Sequence, residues 1–253
     1  MRTLRDTWLV FGRYLGLFLR NPAWVAVGII QPLLYLILFA PLLKSLAAMP
    51  GFPPGGAYNV FVPGLLVQLG LFGAASVGFS LISELRAGVV ERMRVTPISR
   101  FALLMGRALR DIFTLLIQTL IIIGLSLPFG LSLHPLGLLV ILALVALIGM
   151  LFASISYTLA LWLKSEDAFA PLTFTATLPL LLLSGVLLPL TLAPAWLRGI
   201  ADANPLNYAV LAGRAVFNDN LGDVNVIKGV AIMAVLAVLA VATATRSFSR
   251  AVS

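Results

Sequence analysis

Residues 112–163 read IFTLLIQTLIIIGLSLPFGLSLHPLGLLVILALVALIGMLFASISYTLALWL, fifty-two residues without an Asp, Glu, Lys or Arg. As one helix this run would be about 78 Å long, against about 30 Å of bilayer hydrocarbon. It must double back. Leu127-Pro-Phe-Gly130 to His134-Pro135 supplies the break, because proline interrupts a helical ladder and glycine accepts the turn. Two crossings follow, expected at 108–128 and 135–163.

The rest of the 253 residues agrees with a bilayer as solvent. Hydrophobic residues make up 61% and charged ones 10%, against soluble shares of about 45–50% and about 25%. Mean hydropathy is +1.08, which excludes a water-soluble fold. Other charge-free runs place crossings at 23–43, 58–83, 168–188 and 224–245. Met49-Pro-Gly-Phe-Pro-Pro-Gly-Gly56 is a loop before the second, and Lys228 snorkels at the start of the last. The expected fold is an all-α membrane protein, 1–253 forming one transmembrane domain of six helices.

Charge sets orientation. Arg2, Arg5, Arg13, Arg20, the six arginines from Arg86 to Arg110, Lys164, Arg246 and Arg250 fall on one side; Lys44, Arg198, Arg214 and Lys228 fall on the other. Thirteen against four makes both termini cytoplasmic. The net charge of +8 gathers beside apolar runs, so membrane lipid, not nucleic acid, is the expected partner. There is no cysteine, hence no disulfide or thiol chemistry, and Arg13 and Arg20 interrupt any cleavable signal.

Three segments outside the crossings carry information. In 1–21, Leu4, Trp8, Phe11, Leu15 and Phe18 share one helical face, opposite Arg2, Asp6, Arg13 and Arg20. This is an interface helix, either a lipid-hugging anchor or one that also transmits force from a cytoplasmic partner. The cytoplasmic loop 84–107 is the densest run of charge. Glu84, Gly88, Glu91 and Arg92 lie within helical reach beside an apolar row of Leu85, Val89 and Met93. Pro97 stops that short helix, and Thr96 or Ser99 can cap the next. Alternating acids and bases around an apolar row suit a docking surface better than a loop that merely sets topology. The external stretch 189–223 is too apolar to be a free loop, and two short helices at or dipping into the outer leaflet are expected there, with Trp196 and Tyr208 as interface anchors.

Catalytic chemistry is missing. There is no GxxxxGK[ST] loop, the single histidine, His134, falls in an outer turn, and neither Ser126 nor Ser184 has elbow glycines. No metal site is expected. No ionisable group falls mid-span, which argues against a proton- or sodium-coupled carrier and an ion channel. Energy for transport would come from outside the membrane. Gly70, Ala74 and Gly78 form a small-residue stripe for packing within the chain or against a second subunit. Thr173 and Thr177 near Phe169 either line a path for an amphipathic compound or bond their own backbone.

Glu84…Gly88-Val-Val-Glu-Arg-Met-Arg-Val-Thr-Pro-Ile-Ser-Arg100…Gly106-Arg107 resembles the signature loop of ABC type-2 exporter permeases, in particular the daunorubicin-resistance and nodulation-factor export subclass. Leu183-Ser-Gly-Val-Leu-Leu-Pro-Leu190, Pro194-Ala-Trp-Leu197 and Asn204-Pro-Leu-Asn-Tyr208…Arg214 resemble its second hallmark. The resemblance implies two paired six-span permeases, two copies of one chain being the expected pair, above two ATPase subunits. ATP and Mg are then held by those ATPases, with no cofactor on this chain. Glu84, Arg86, Gly88, Glu91, Arg92, Arg94 and Pro97 would couple to the ATPase, with Trp8, Phe11, Arg13 and Phe18 on the neighbouring interface helix. Gln68, Phe72, Phe79, Phe169, Thr173 and Thr177 would line the path, and Ser184, Gly185, Pro189, Asn204, Pro205 and Tyr208 would form the external re-entrant lid. The implied function is ATP-driven export of a drug, antibiotic or lipid-like molecule across the bacterial inner membrane. A permease for lipid-linked glycans and a non-transporting scaffold or sensor remain alternatives.

Overall fold

The computed structural model describes residues 2–20, 30, 33–38, 42, 56–89, 98–132, 134–187 and 189–251. Most of the expected first crossing lies outside them. Among the described residues every regular element is helical: α1 (Arg2–Leu19), α2 (Gly56–Ala75), α3 (Gly78–Arg86), α4 (Arg100–Ser126), α5 (Pro135–Leu163), α6 (Glu166–Leu182), α7 (Ala195–Ala201), α8 (Pro205–Phe217) and α9 (Val224–Ala251), with 3₁₀ turns at Leu127–Phe129 and Leu190–Leu192. Four helical segments are long and apolar enough to cross a membrane: Gly56–Arg86, Phe101–Phe129, Pro135–Leu163 and Val224–Phe248.

The α4–α5 hairpin turns where the chemistry of its residues requires it. Pro128 sits in the 3₁₀ turn and Gly130 adopts φ 95°, a conformation that is free of steric cost only for glycine. Pro135 then occupies the first turn of α5, where its missing N–H leaves nothing unsatisfied. α5 is the hub and packs on α2, α3, α4, α6, α8 and α9. Ile141, Leu144, Val145, Ile148, Phe152 and Tyr157 form its buried side, whereas Leu136, Leu139, Ile155 and Trp162 face outward, as a helix apolar all round should in a bilayer.

The expected crossing at 58–83 is not one helix. It breaks at Ser76–Val77, where the Val77 N–H reaches Ala74 O at 3.4 Å and the Phe79 N–H reaches Ser76 O at 3.2 Å. The cause lies on α5. The Ser156 hydroxyl accepts from the Gly78 N–H at 2.8 Å and donates to Ala75 O at 2.7 Å. A side chain inserted into the ladder in this way produces a local break. Glycine at 78 makes the approach possible, because a Cβ there would lie 2.4 Å from the Phe169 ring and 2.8 Å from Ser156 Oγ.

Three further boundaries differ from the sequence expectation. α4 begins at Arg100, capped by Ser99 Oγ accepting from the Ala102 N–H at 3.1 Å; residues 100–107, expected in the loop, are helical. The charges of Arg100 and Arg107 suggested a loop, but Ser99 caps a helix that contains both. α3 ends at Arg86 and Gly88 turns at φ 67°; the expected partners Glu91 and Arg92 lie outside the described residues. α6 is a helix of 17 residues, stopping before the expected 188 where Gly185 takes φ 72°. The stretch expected outside the membrane does contain two short helices, α7 and α8. α8 is buried against α9, α2 and α5, and a Cβ at Gly229 would lie 2.6 Å from Tyr208 O.

Substituting Gly78→Ala should lower thermal stability in detergent by about 1–3 kcal/mol through overpacking. Gly124→Ala on α4, which has nothing within 4 Å of its added Cβ, should be neutral or slightly stabilising. Equal melting shifts for the two variants would contradict the packing described.

Candidate functional site

The expected cytoplasmic foot of the bundle concentrates the charged side chains. α1 lies along α4, and the contact is made close by Gly106, where a Cβ would lie 2.6 Å from Val10 Cγ1. Thr7, Val10, Phe11 and Tyr14 face inward. Phe11 meets Phe113 edge-on at 6.0 Å between centroids and Trp8 at 5.1 Å. Trp8 itself is 69% exposed, and Arg13 is also exposed. Phe18 is half-buried, with the Arg110 guanidinium 5.7 Å from its ring centre. The apolar face of α1 is therefore divided: Phe11 packs into the bundle, while Leu4 and Trp8 remain outside it.

Two charge pairs sit behind α1. Glu84, near the end of α3, pairs with Arg107 on α4. The Tyr14 hydroxyl donates to Glu84 Oε2 at 2.9 Å and accepts from Arg107 Nη2 at 2.6 Å. The guanidinium also stands 4.7 Å over the Tyr14 ring, a cation–π contact. Further along α4, Arg110 pairs with Asp111 at 2.9 Å, and the Tyr157 hydroxyl of α5 donates to Asp111. Two acids and two bases cancel, which makes such a cluster tolerable near the membrane boundary. It joins α1, α3, α4 and α5, and the Glu84–Arg107 pair ties the last turn of α3 to the second turn of α4, the two helices that flank the loop.

Glu84 thus points inward at the foot of the loop. Arg86 is different: its pairing with Glu166 at 3.5 Å is 53% and 42% exposed, and such a pair contributes at most about 1 kcal/mol. Glu91, Arg92, Arg94 and Pro97 lie outside the described residues.

The residues expected along the path fall on α2, α3 and α6. Phe79 and Phe169 meet edge-on at 4.8 Å; Phe169 is fully buried over Gly78, and Gln68 and Thr177 are buried too. Phe72 is half-buried. Gln68 Oε1 and Thr173 Oγ1 have no hydrogen-bond partner among the described residues. In the small-residue stripe, a Cβ at Gly70 would lie 2.9 Å from Ile148 Cγ2, and Ala74 is buried. These contacts are within the chain.

Of the expected lid residues, Asn204 and Gly185 are tied across segments, and Ser184 and Tyr208 bond within their own. Asn204 caps α8 by accepting from the Leu206 N–H at 3.0 Å and donates to Leu180 O of α6 at 2.7 Å. Pro205 is the first residue of α8. The Ser184 hydroxyl donates to Leu181 O at 2.6 Å, Pro189 precedes the 3₁₀ turn, and the Tyr208 hydroxyl donates to Asp202 O at 2.9 Å. Arg214 is buried and bridges Val60 O at 3.0 Å and Gly185 O at 2.6 Å. Asn59 ties the same end together through Ser132 Oγ at 3.1 Å and Phe217 O at 3.0 Å.

Several of these residues escaped the sequence reading: Tyr14, Asp111 and Tyr157 in the charged cluster, and Asn59 and Ser156 elsewhere. A signal existed for one. Asp111 falls on the stripe of Leu104, Ala108 and Leu115, all buried on α4, so a helical plot begun at Arg100 puts it on the packed face.

The profile of the ABC-2 type transporter family matches residues 5–218, which include the whole charged foot and both hallmark segments. The chain belongs to that family, whose permeases work with ATP-binding ABC subunits. It is 32% identical over 203 residues to the ycf38 transport permease of Porphyra purpurea, covering 79% of this chain and 69% of that protein. It is 25% identical to the daunorubicin resistance ABC transporter permease protein DrrB1 of Streptomyces coeruleorubidus (87% of this chain, 76% of that one). With the doxorubicin resistance ABC transporter permease protein DrrC of Mycobacterium tuberculosis it shares 24% identity (83% and 75%). A multi-pass helical permease of an ABC transporter is thus the class that fold and family define together.

Arg107→Ala leaves Glu84 without its cation and should cost about 3 kcal/mol or more, as broken buried pairs do. Arg86→Ala should cost less than about 1 kcal/mol. Thermal unfolding of the purified protein in detergent separates the two, and similar losses would contradict the distinction between clamp and surface pair.

Proposed function

We propose that this chain is the transmembrane subunit of an exporter that moves an amphipathic or hydrophobic compound out of the cytoplasm or inner leaflet of a bacterial inner membrane by alternating access. Two copies pair above two ATPase subunits, which hold the ATP and Mg. Each copy crosses six times with both termini in the cytoplasm: the four long helical segments, the 23–43 region and α6. The DrrB1 and DrrC names point to anthracycline-type drugs as the first compounds to test. The observation that carries the reading is the closed base of the 84–107 loop: an ion pair and α1 join there, at the one place in the sequence built for docking.

In this reading Glu91, Arg92, Arg94 and Pro97 meet the ATPase, with Arg86 and Gly88 at the edge of that surface. ATP-driven closure of the ATPase pair moves the loop, and the helices convert that movement into opening of the path beside Phe72, Phe79, Thr173 and Thr177. Gly185, Asn204, Pro205 and Tyr208 close it outside.

Co-expression with an ABC ATPase subunit from the same genome should yield a stoichiometric complex whose hydrolysis drives daunorubicin into inverted vesicles. Glu91→Ala and Arg92→Ala should leave membrane insertion unchanged and abolish uptake while hydrolysis continues. Full uptake by both variants, or purification without any ATPase, would overturn the proposal.

A further inference from the structure

We propose that Arg214 and Asn207 on α8 form a binding site for the anionic headgroup, a phosphate or carboxylate, of an amphiphile at the end of the bundle opposite the charged foot. The inference deepens the exporter reading, on which the choice of an amphiphile rests, by naming the charge that this end accepts.

The observation that carries it is a buried positive charge without a counter-charge. Arg214 is 8% exposed, and none of the described acids pairs with it. Of the chain's acids only Glu91 lies outside the described residues, on the 84–107 loop. Asp219 turns to His134 at 2.9 Å, and Asp223 accepts from the Asn225 N–H at 2.8 Å. Burial lowers the Arg214 pKa to about 10, which leaves the group cationic at neutral pH. A cation removed from water is costly unless an anion or a full set of acceptors meets it.

The acceptors fall short. A guanidinium carries five N–H donors in a planar fork. Nε donates to Val60 O of α2 at 3.0 Å and Nη2 to Gly185 O at 2.6 Å. Nη1 has no partner among the described residues, yet it is not sealed in as Arg110 Nε is. Nη1 thus keeps both of its N–H groups and Nη2 keeps one. Asn207 lies seven residues before Arg214, two turns back on the same face of α8. It is 5% exposed, and its side-chain amide has no partner among the described residues. Side chains on a helix lean toward its N-terminus, so the guanidinium lies on the Asn207 side of its own Cα. The walls are rigid: a Cβ at Gly64 of α2 would lie 2.6 Å from Val186 O, and one at Gly213 2.8 Å from Pro63 Cβ. A phosphate or carboxylate supplies the missing charge, and its oxygens take two donors of the fork side by side. A neutral or cationic headgroup does neither.

The full-length permease in dodecyl maltoside is titrated with dodecyl phosphate while its melting temperature is followed. Dodecyltrimethylammonium and inorganic phosphate are the controls. Dodecyl phosphate should raise the melting temperature saturably, by about 5–10 °C well above its dissociation constant, and neither control should. Arg214→Gln also removes the two carbonyl ties and lowers the starting stability, so the readout is the shift, which should vanish. Asn207→Asp keeps those ties, sets an acid beside the guanidinium, and should abolish the shift as well. Repeating the titration on the complex with the ATPase in nanodiscs separates two sources of the headgroup. Faster ATP hydrolysis that depends on Arg214 marks a transported compound. Unchanged hydrolysis, with a phospholipid seen by native mass spectrometry on the unsubstituted protein and lost from Arg214→Gln, marks a resident lipid.

A shift of equal size in Asn207→Asp, or in folded Arg214→Gln, overturns the site, because the anion then binds elsewhere on a chain of net charge +8. No saturable shift with dodecyl phosphate, or an equal one with either control, does the same. None of these results touches the exporter reading, which fails instead if no ATPase copurifies.

Discussion

The ion pair between Glu84 and Arg107 is the constraint on which the rest of the architecture depends. An acid and a base near the membrane boundary are costly apart and acceptable together. Pairing them fastens together the two helices that flank a charged loop. The Tyr14 hydroxyl completes the coordination of both groups and holds an amphipathic helix that could otherwise drift along the lipid surface. Asp111 and Arg110 repeat the arrangement further along α4, with Tyr157 supplying the hydroxyl. The outcome is a neutral, hydrogen-bonded foot from which the apolar helices rise.

Above that foot the helices are joined by close approach. Gly70 lies against Ile148, Gly78 against Phe169 and Ser156, Gly106 against Val10 and Gly213 against Pro63. Association of helices in a bilayer depends on such packing, because lipid tails are as apolar as leucine. The far end is built by another principle. Asn59, Asn204 and Arg214 reach across to backbone carbonyls of neighbouring segments, satisfying groups that an irregular backbone would leave open. Among the described residues, buried charge pairs join one end and amide and guanidinium bridges the other, with apolar contact, hydroxyls and the buried amides of Gln68 and Gln118 between.

How much of this was legible in the sequence depends on how local each cause is. Pro128, Gly130 and Pro135 announce the α4–α5 hairpin because their own backbone preferences make it. The two short helices α7 and α8 follow from Pro194 and Asn204-Pro205 for the same reason. The break at Ser76–Val77 has no such marker: its cause is Ser156, eighty residues downstream of Ser76, and the absence of a Cβ at Gly78. Trp8 and Phe11 share the apolar arc of α1, and only the gap over Gly106 decides which face turns inward. The charged cluster was obscured because Arg100 and Arg107 look like loop residues when judged by charge, although Ser99 caps a helix that contains both. Family membership was legible from the loop 84–107 and the segment 183–214 taken together, and both fall inside the matched residues.

The central claim is that the loop closed by Glu84 and Arg107 faces the compartment where ATP is made available, and that the turn after α8 faces the opposite one. Single cysteines at Arg92 and at Asn220, labelled with a membrane-impermeant maleimide, test this directly. The account predicts that position 92 reacts only in inverted vesicles and position 220 only in right-side-out ones. The reverse pattern, or labelling of both positions from one side, would contradict it.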